Sequence, residues 1–131
     1  VTAVAAVGNI IIGKNNLVYS SYDGEDMLGL LAQNNVEIMR YSQNNLRIDG
    51  ALMAKSGRVG REFYLLDIPN SITFFGSIIS NGTFNVGKAI FSSWDVGYQN
   101  AYLNFDNNLL YYPPPFFPTG VGYSVDDWEE L

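Results

Sequence analysis

Four short apolar segments, each closing on a small residue, recur along this chain: Val4-Ala5-Ala6, Leu30-Leu31-Ala32, Leu52-Met53-Ala54 and Ile78-Ile79-Ser80. The small residue falls at 6, 32, 54 and 80, so successive copies lie 26, 22 and 26 residues apart. A period in this range marks a solenoid, in which each repeat is one coil that can bury its apolar face only against the coils beside it. The chain is therefore first an architectural object.

Two further strands are expected after each apolar segment. The second follows a corner of Gly, Asn or Ser, residues that suit a turn of positive φ. It reads Gly8 to Ile12, Asn34 to Ile38, Ser56 to Val59 and Gly82 to Val86. Alternation points Ile10/Ile12, Val36/Ile38 and Phe84/Val86 to one core, with Val59 one residue out of phase, the mark of a bulge or a one-residue insertion. The third strand carries Asn-x-apolar-x-apolar, at Asn15 to Tyr19, Asn44 to Ile48, Asn70 to Phe74 and Asn100 to Tyr102. Asn15, Asn44, Asn70 and Asn100 are expected to stack as a corner ladder at the interstrand spacing of about 4.8 Å.

The fold expected is all-β, a right-handed parallel β-solenoid of about four coils with three short strands each, its hand taken from the chirality of parallel crossovers. Residues 1–106 form the coils. Residues 107–131, in the same domain, form a Pro/aromatic segment that covers a side or an end, followed by an acidic tail. The string Tyr111 to Gly120 contains four prolines among four aromatic side chains, which imposes an extended path with large apolar faces.

Composition narrows the chemistry. Seven Lys and Arg face 13 Asp and Glu, a net charge of −6, and the basic residues are spread along the chain. Bulk nucleic-acid binding needs clustered cations and is not expected. There is no Cys and no His, which removes disulfides, thiolate chemistry and the commonest general base. No apolar run is long enough to span a membrane. A start at Val1 in a strand-like run fits a processed chain or a piece of a longer one.

The connection between second and third strands lengthens from coil to coil: Gly13-Lys14, Met39 to Gln43, Arg61 to Pro69, Gly87 to Gln99. Insertions confined to one corner of a repeat array build one elaborated face. Its aromatic residues, Phe63, Tyr64, Phe91, Trp94 and Tyr98, are the candidate contacts for a partner or ligand. The acidic loop Asp23-Gly24-Glu25-Asp26 could hold Ca²⁺ through clustered carboxylates, but its spacing is not that of an EF-hand and a solvated loop explains it better. Asn81-Gly82-Thr83 matches a glycosylation acceptor but falls on a repeated corner that accounts for each residue. Asp49, Asp67, Asp95 and Asp106 with Arg47, Arg58 and Arg61 supply the residue types of polysaccharide-cleaving β-helices. No two carboxylates recur at a spacing that pairs them, so no enzyme is expected, and no catalytic or cofactor-binding residue is assigned.

Three runs carry a resemblance: Ile48 to Val59, Phe75 to Asn81, and Asn107 to Thr119 with its Leu109-Leu110-Tyr111-Tyr112-Pro113-Pro114-Pro115 core. Together they resemble the C-terminal part of bacterial surface proteins associated with type IV pili, the PilX-like minor pilins, over residues 25 to 120 or so. That resemblance implies an extracellular, non-enzymatic structural or adhesive module at the bacterial cell surface. Its partners would be pilus or other surface-filament subunits, or a surface glycan or protein. The alternatives are a glycan-binding or polysaccharide-cleaving β-helix using Trp94, Tyr98 and Tyr64 as sugar platforms, and a filament subunit whose edge strands, Val1–Ala6 or Tyr102–Phe105, pair end to end.

Overall fold

The computed structural model describes residues 1–62, 64–87, 97–115 and 117. Phe63, Phe91, Trp94, Phe116 and the acidic tail lie outside these. The described residues form eight strands: β1 (Thr2–Ala5), β2 (Ile10–Ile12), β3 (Gly29–Ala32), β4 (Val36–Ile38), β5 (Asn45–Ala54), β6 (Val59–Arg61), β7 (Ser71–Ser80) and β8 (Asn100–Phe105). All pairings are parallel, in a five-stranded sheet of order β1-β3-β5-β7-β8 and a three-stranded sheet β2-β4-β6. This is a β-solenoid of about four coils. No helix among the described residues is long and apolar enough to cross a membrane.

The third strand of one coil and the first of the next are not separate, as the sequence pattern implied. They run on as the ten-residue strands β5 and β7, in register from Asn45↔Ser71 to Ala54↔Ser80. The bend within them falls at Gly50 and Gly76, paired across the ladder. A Cβ on Gly76, whose φ is +147°, would lie 1.9 Å from the Gly50 carbonyl oxygen. Two coils can therefore close to ladder distance here only through glycine.

Register sorts the side chains into columns along the axis. Ala3, Leu30, Leu52 and Ile78 form one inward column, and Leu17, Ile48, Phe74 and Leu103 another. Ile10, Val36 and Val59 form a third; the Gly60–Asn85 bridge places Phe84 beneath them. The middle rungs Val36, Leu52, Val59, Ile48 and Ile72 are fully buried. At the ends the columns open: Ile10, Leu17, Ile78 and Phe84 are only half-buried, and Leu103 is 55% exposed.

The register corrects three expectations. Ala5, not Ala6, aligns with Ala32, Ala54 and Ser80, because the first corner holds an extra residue. Val59 lies in phase with Val36; the additional residue sits in the Lys55–Arg58 corner rather than in the strand. The Asn ladder is real for Asn44 and Asn70, where the Asn70 amide donates to Asn44 Oδ1 at 2.9 Å. Asn100 pairs with Ser71 and so stands in the neighbouring column under Asn45. Asn15 is two residues out, since Leu17 pairs with Ile48 rather than Leu46, and its Oδ1 accepts from Gln43 at 3.4 Å. Unequal corners let each strand slide to the register that fills the core, and the Asn side chains follow.

After β8 the chain turns through a 3-10 segment, Asn107–Leu110, capped by buried Asp106, whose carboxylate accepts from the Asn108 amide at 2.9 Å. The Pro/aromatic segment then runs up the outer face of the larger sheet. Leu109 and Phe117 pack on Ala51, Met53, Leu31 and Ile79. Asn108 donates to the Tyr22 carbonyl at 3.2 Å, and Thr2 Oγ1 donates to the Pro115 carbonyl. The segment is a strap joining the last coil to the first. It covers a side and leaves the lower edge of β7 and β8 uncovered by described residues.

Candidate functional site

The elaborated corner gathers residues from three coils. Tyr41 and Arg40 come from the turn after β4, Arg61 from the end of β6, Tyr64 and Asp67 from the turn after it, and Tyr98 from the approach to β8. Their side chains alternate. The Arg40 guanidinium lies 4.7 Å from the Tyr41 ring centre and 5.2 Å from that of Tyr64. The Arg61 guanidinium lies 5.1 Å from Tyr64 and 5.5 Å from Tyr98. Tyr64 is thus shared by two cations, and five side chains form a ladder of rings and guanidinium planes, each contact favourable because the ring face carries negative potential.

The ladder runs from solvent into the core. Tyr41 is exposed, whereas Arg61 and Tyr98 are 1% and 2% exposed. Arg61 stands in the inward column below Ile12 and Ile38, a position patterning reserves for an apolar residue. It is paired with Asp67 through Nη2. Its Nε and Nη1 have no acceptor among the described residues. Tyr98 donates its hydroxyl to the Gln43 carbonyl at 2.8 Å, and burial pushes that hydroxyl above the ordinary tyrosine value of 10.0. Backbone bonds fix the frame: Gly97 N–H donates to the Asp67 carbonyl at 2.9 Å and Gln99 N–H to the Pro69 carbonyl at 3.1 Å.

Above the ladder the turns present apolar side chains to solvent: Tyr41, Leu65, Leu66 and Ile68 are all more than half exposed. Tyr41 has φ +60° and Leu66 φ +63°, the two non-glycine residues with positive φ among those described. For Leu this left-handed conformation is costly, and such outliers gather at sites where the surrounding structure holds them for a purpose. The sequence pointed to this corner through Tyr64 and Tyr98. It missed Arg40, Tyr41 and Leu66, although Arg40-Tyr41 and Arg61 to Tyr64 both set an arginine shortly before a tyrosine after the second strand of successive coils. Of the aromatic residues singled out as sugar platforms, Tyr98 is buried and Tyr64 lies between two guanidinium groups.

A second cluster lies at the opposite corner. Asp49 is fully buried and accepts from the Tyr22 hydroxyl at 2.5 Å, Arg47 Nε at 2.8 Å and the Tyr19 amide at 3.0 Å. Arg47 also faces the Tyr22 and Phe75 rings at 5.4 and 5.5 Å. The hydrogen bond to Asp49 raises the Tyr22 pKa, and the same carboxylate raises that of Arg47. Asp23, Glu25 and Asp26 do not converge, and no group of three potential ligands that could hold a metal ion is present among the described residues. Asp26 instead accepts from the Ser21 amide at 2.7 Å and Asp23 from the Glu25 amide at 3.0 Å. The Glu25 amide first, then Ser21, lowers the Asp23 pKa. The Asp23 and Asp26 carboxylates organise a turn.

Comparison with protein-family models, curated proteins and solved structures found no match.

Proposed function

We propose that this chain is a non-enzymatic structural and adhesive module of the bacterial cell surface, displayed on or near a type IV pilus or a similar filament, and that it binds through the elaborated corner. The observation that carries the binding face is the Tyr41–Arg40–Tyr64–Arg61–Tyr98 ladder with Leu66 held at φ +63° above it. Aromatic and Arg side chains set on a rigid frame are the groups that dominate protein contacts. The surface and pilus setting rests on the resemblance of the Ile48–Val59, Phe75–Asn81 and Asn107–Thr119 runs to minor pilins.

The test uses substitutions that separate binding from folding. Leu66→Gly relieves a strain of about 1–3 kcal/mol and adds about 0.5–1 kcal/mol of chain entropy, so stability holds or rises slightly. Adhesion of the labelled protein to cells and to a glycan array is then measured for the wild type, Leu66→Gly and Tyr41→Ala. Saturable binding weakened about tenfold or more by both substitutions supports the assignment. Binding that ignores both removes the corner from it, and release of product from an acidic polysaccharide removes the non-enzymatic reading.

A further inference from the structure

The solenoid ends have the same polarity and matching steps. All strands of the larger sheet are parallel, so one edge offers β1 and the other offers β7 and β8 running the same way. The edges are staggered. β8 pairs only with Ser71–Gly76, which leaves Ser77–Ser80 of β7 without a ladder partner among the described residues. β1 pairs through the column of Gly29–Ala32, Ala51–Ala54 and Ser77–Ser80, the column that is empty at the other end. Beside that empty place runs a groove of about 630 Å³ lined by Gly76, Ser77, Ile78, Leu103, Phe105 and Leu109.

We propose that copies of this chain stack head to tail, β1 of one filling the place beneath Ser77–Ser80 of the next and continuing both the sheet and the core. The backbone supports this group by group. At the head, Val1 and Ala5 carbonyls accept from Gly29 and Gln33 amides at 2.9 Å, so Thr2 and Val4 turn their backbone groups outward. At the tail, the Ala54 carbonyl accepts from Asn81 and the Gly76 carbonyl from Asp106, so Ile78 and Ser80 turn outward. With Ala3 of the next copy below Ile78, the register already used by Leu30 and Leu52, the Ile78 N–H meets the Thr2 carbonyl and its C=O meets the Val4 N–H.

The side chains agree. Stacking sets Ala3 under Ile78, Ile10 under Phe84 and Leu17 under Leu103, continuing three inward columns that stop half-buried or exposed at the ends. None of these six residues is charged, so joining the three columns desolvates no charged side chain. Each end offers a whole coil of about 20 residues, near the lower bound for one side of a stable interface, which makes the assembly concentration-dependent. Because the contact is heterologous and uses the axis of the solenoid, it does not close on itself and grows beyond two copies. The β1 edge thus does not pair with β8, which occupies a different column. This inference concerns the ends and is independent of the corner assigned to binding.

Sedimentation of the whole chain between micromolar and millimolar concentration is expected to show mass rising in steps of 14.5 kDa. Val4→Pro deletes an outward N–H without touching the bonds from β1 to β3, and blocks the head. Leu103→Lys places a charge at the tail. Each variant alone should remain monomeric, while an equimolar mixture should give a heterodimer that grows no further. Circular dichroism checks folding, and Ala3→Lys replaces Val4→Pro if the latter unfolds. A wild type monomeric at every concentration overturns the proposal. So do oligomers that survive either block, or a mixture of folded variants that stays monomeric.

Discussion

Two arginine–aspartate pairs stand at opposite corners of the same solenoid, and they solve burial in opposite ways. At one corner the acid is inside: Asp49 is wholly buried while the Arg47 side chain is 42% exposed. Three donors reach the carboxylate, so its charge is met by hydrogen bonds from several directions. At the other the cation is inside: the Arg61 side chain is 1% exposed and that of Asp67 15%. A guanidinium has five donors in a fixed fork, too many for a column built to take Ile or Val. One carboxylate takes Nη2, and the Tyr64 and Tyr98 ring faces meet the plane of the group. A small buried anion can be satisfied by a turn wrapped over it, whereas a large buried cation recruits rings from separate coils. The first arrangement stabilises a loop; the second ties together the turns of the contact face.

The sharpest way to break this contrast is Asp49→Ala, which strands the Tyr19 amide and leaves Arg47 without its partner. Arg47 is exposed enough to rehydrate, so the cost is that of the buried donors left unmet, about 1–3 kcal/mol, and the denaturant midpoint should fall accordingly. Arg61→Met should cost less, about 1 kcal/mol or under, since Asp67 is close enough to water to be rehydrated and an apolar side chain suits the column. Its signature would be weakened binding at the corner with the fold retained. Equal losses from the two substitutions would erase the distinction.

Tyr98→Phe removes the hydrogen bond to Gln43 and should cost about 1 kcal/mol. The same residue sharpens the comparison through pH. Its pKa is raised by burial, so folding favours the neutral hydroxyl; that stabilisation is complete below pH 10.0 and is lost as pH climbs through the folded value. Tyr19 is raised chiefly by burial as well, and Tyr22 by its bond to Asp49. Alkaline titration followed by tyrosinate absorbance should show these groups ionising after free tyrosines, with the late fraction reduced in Tyr98→Phe. The smallest effect, about 0.5 kcal/mol, is expected for Tyr22→Phe, because Tyr22 is half exposed and Asp49 keeps two donors. A loss as large as that of Asp49→Ala would mean the hydroxyl, not Arg47, holds the buried charge.

The coil pattern was legible because burial repeats. Leu30, Leu52 and Ile78 recur for the same physical reason, as do the glycines at the bends. Register was harder to read, since corners of unequal length move a strand by a residue without changing its alternation, as at Ala5, Val59 and Asn100. The strap could be seen as an apolar segment needing a surface, and Phe117 does lie buried on the side of the coils. The contact corner was half visible. Tyr64 and Tyr98 stood out as aromatic residues in long connections, but nothing local to them reveals that Arg40 stacks on Tyr64 or that Arg61 bridges Tyr64 and Tyr98. The Arg40–Tyr64 and Arg61–Tyr98 contacts join coils more than twenty residues apart and form only once the stack is formed. Arg61 is the deepest miss: alternation assigns its position to the core, and a charged side chain there is explained by Asp67 and Tyr64 of its own turn together with Tyr98 of the next coil.

The strap also bears on how the molecule responds to load. An open stack of coils can peel from either end, because each rung is held only by its neighbour. Here the segment leaving the fourth coil is fastened to the first at Thr2 and Tyr22, so tension along the axis is shared between the ladders and a tether lying in parallel with them. The terminal coils cannot come away one at a time without first tearing that tether from Met53 and Leu31. A modular array is thereby converted into one that yields all at once, as a clasped bracelet does and an unclasped one does not.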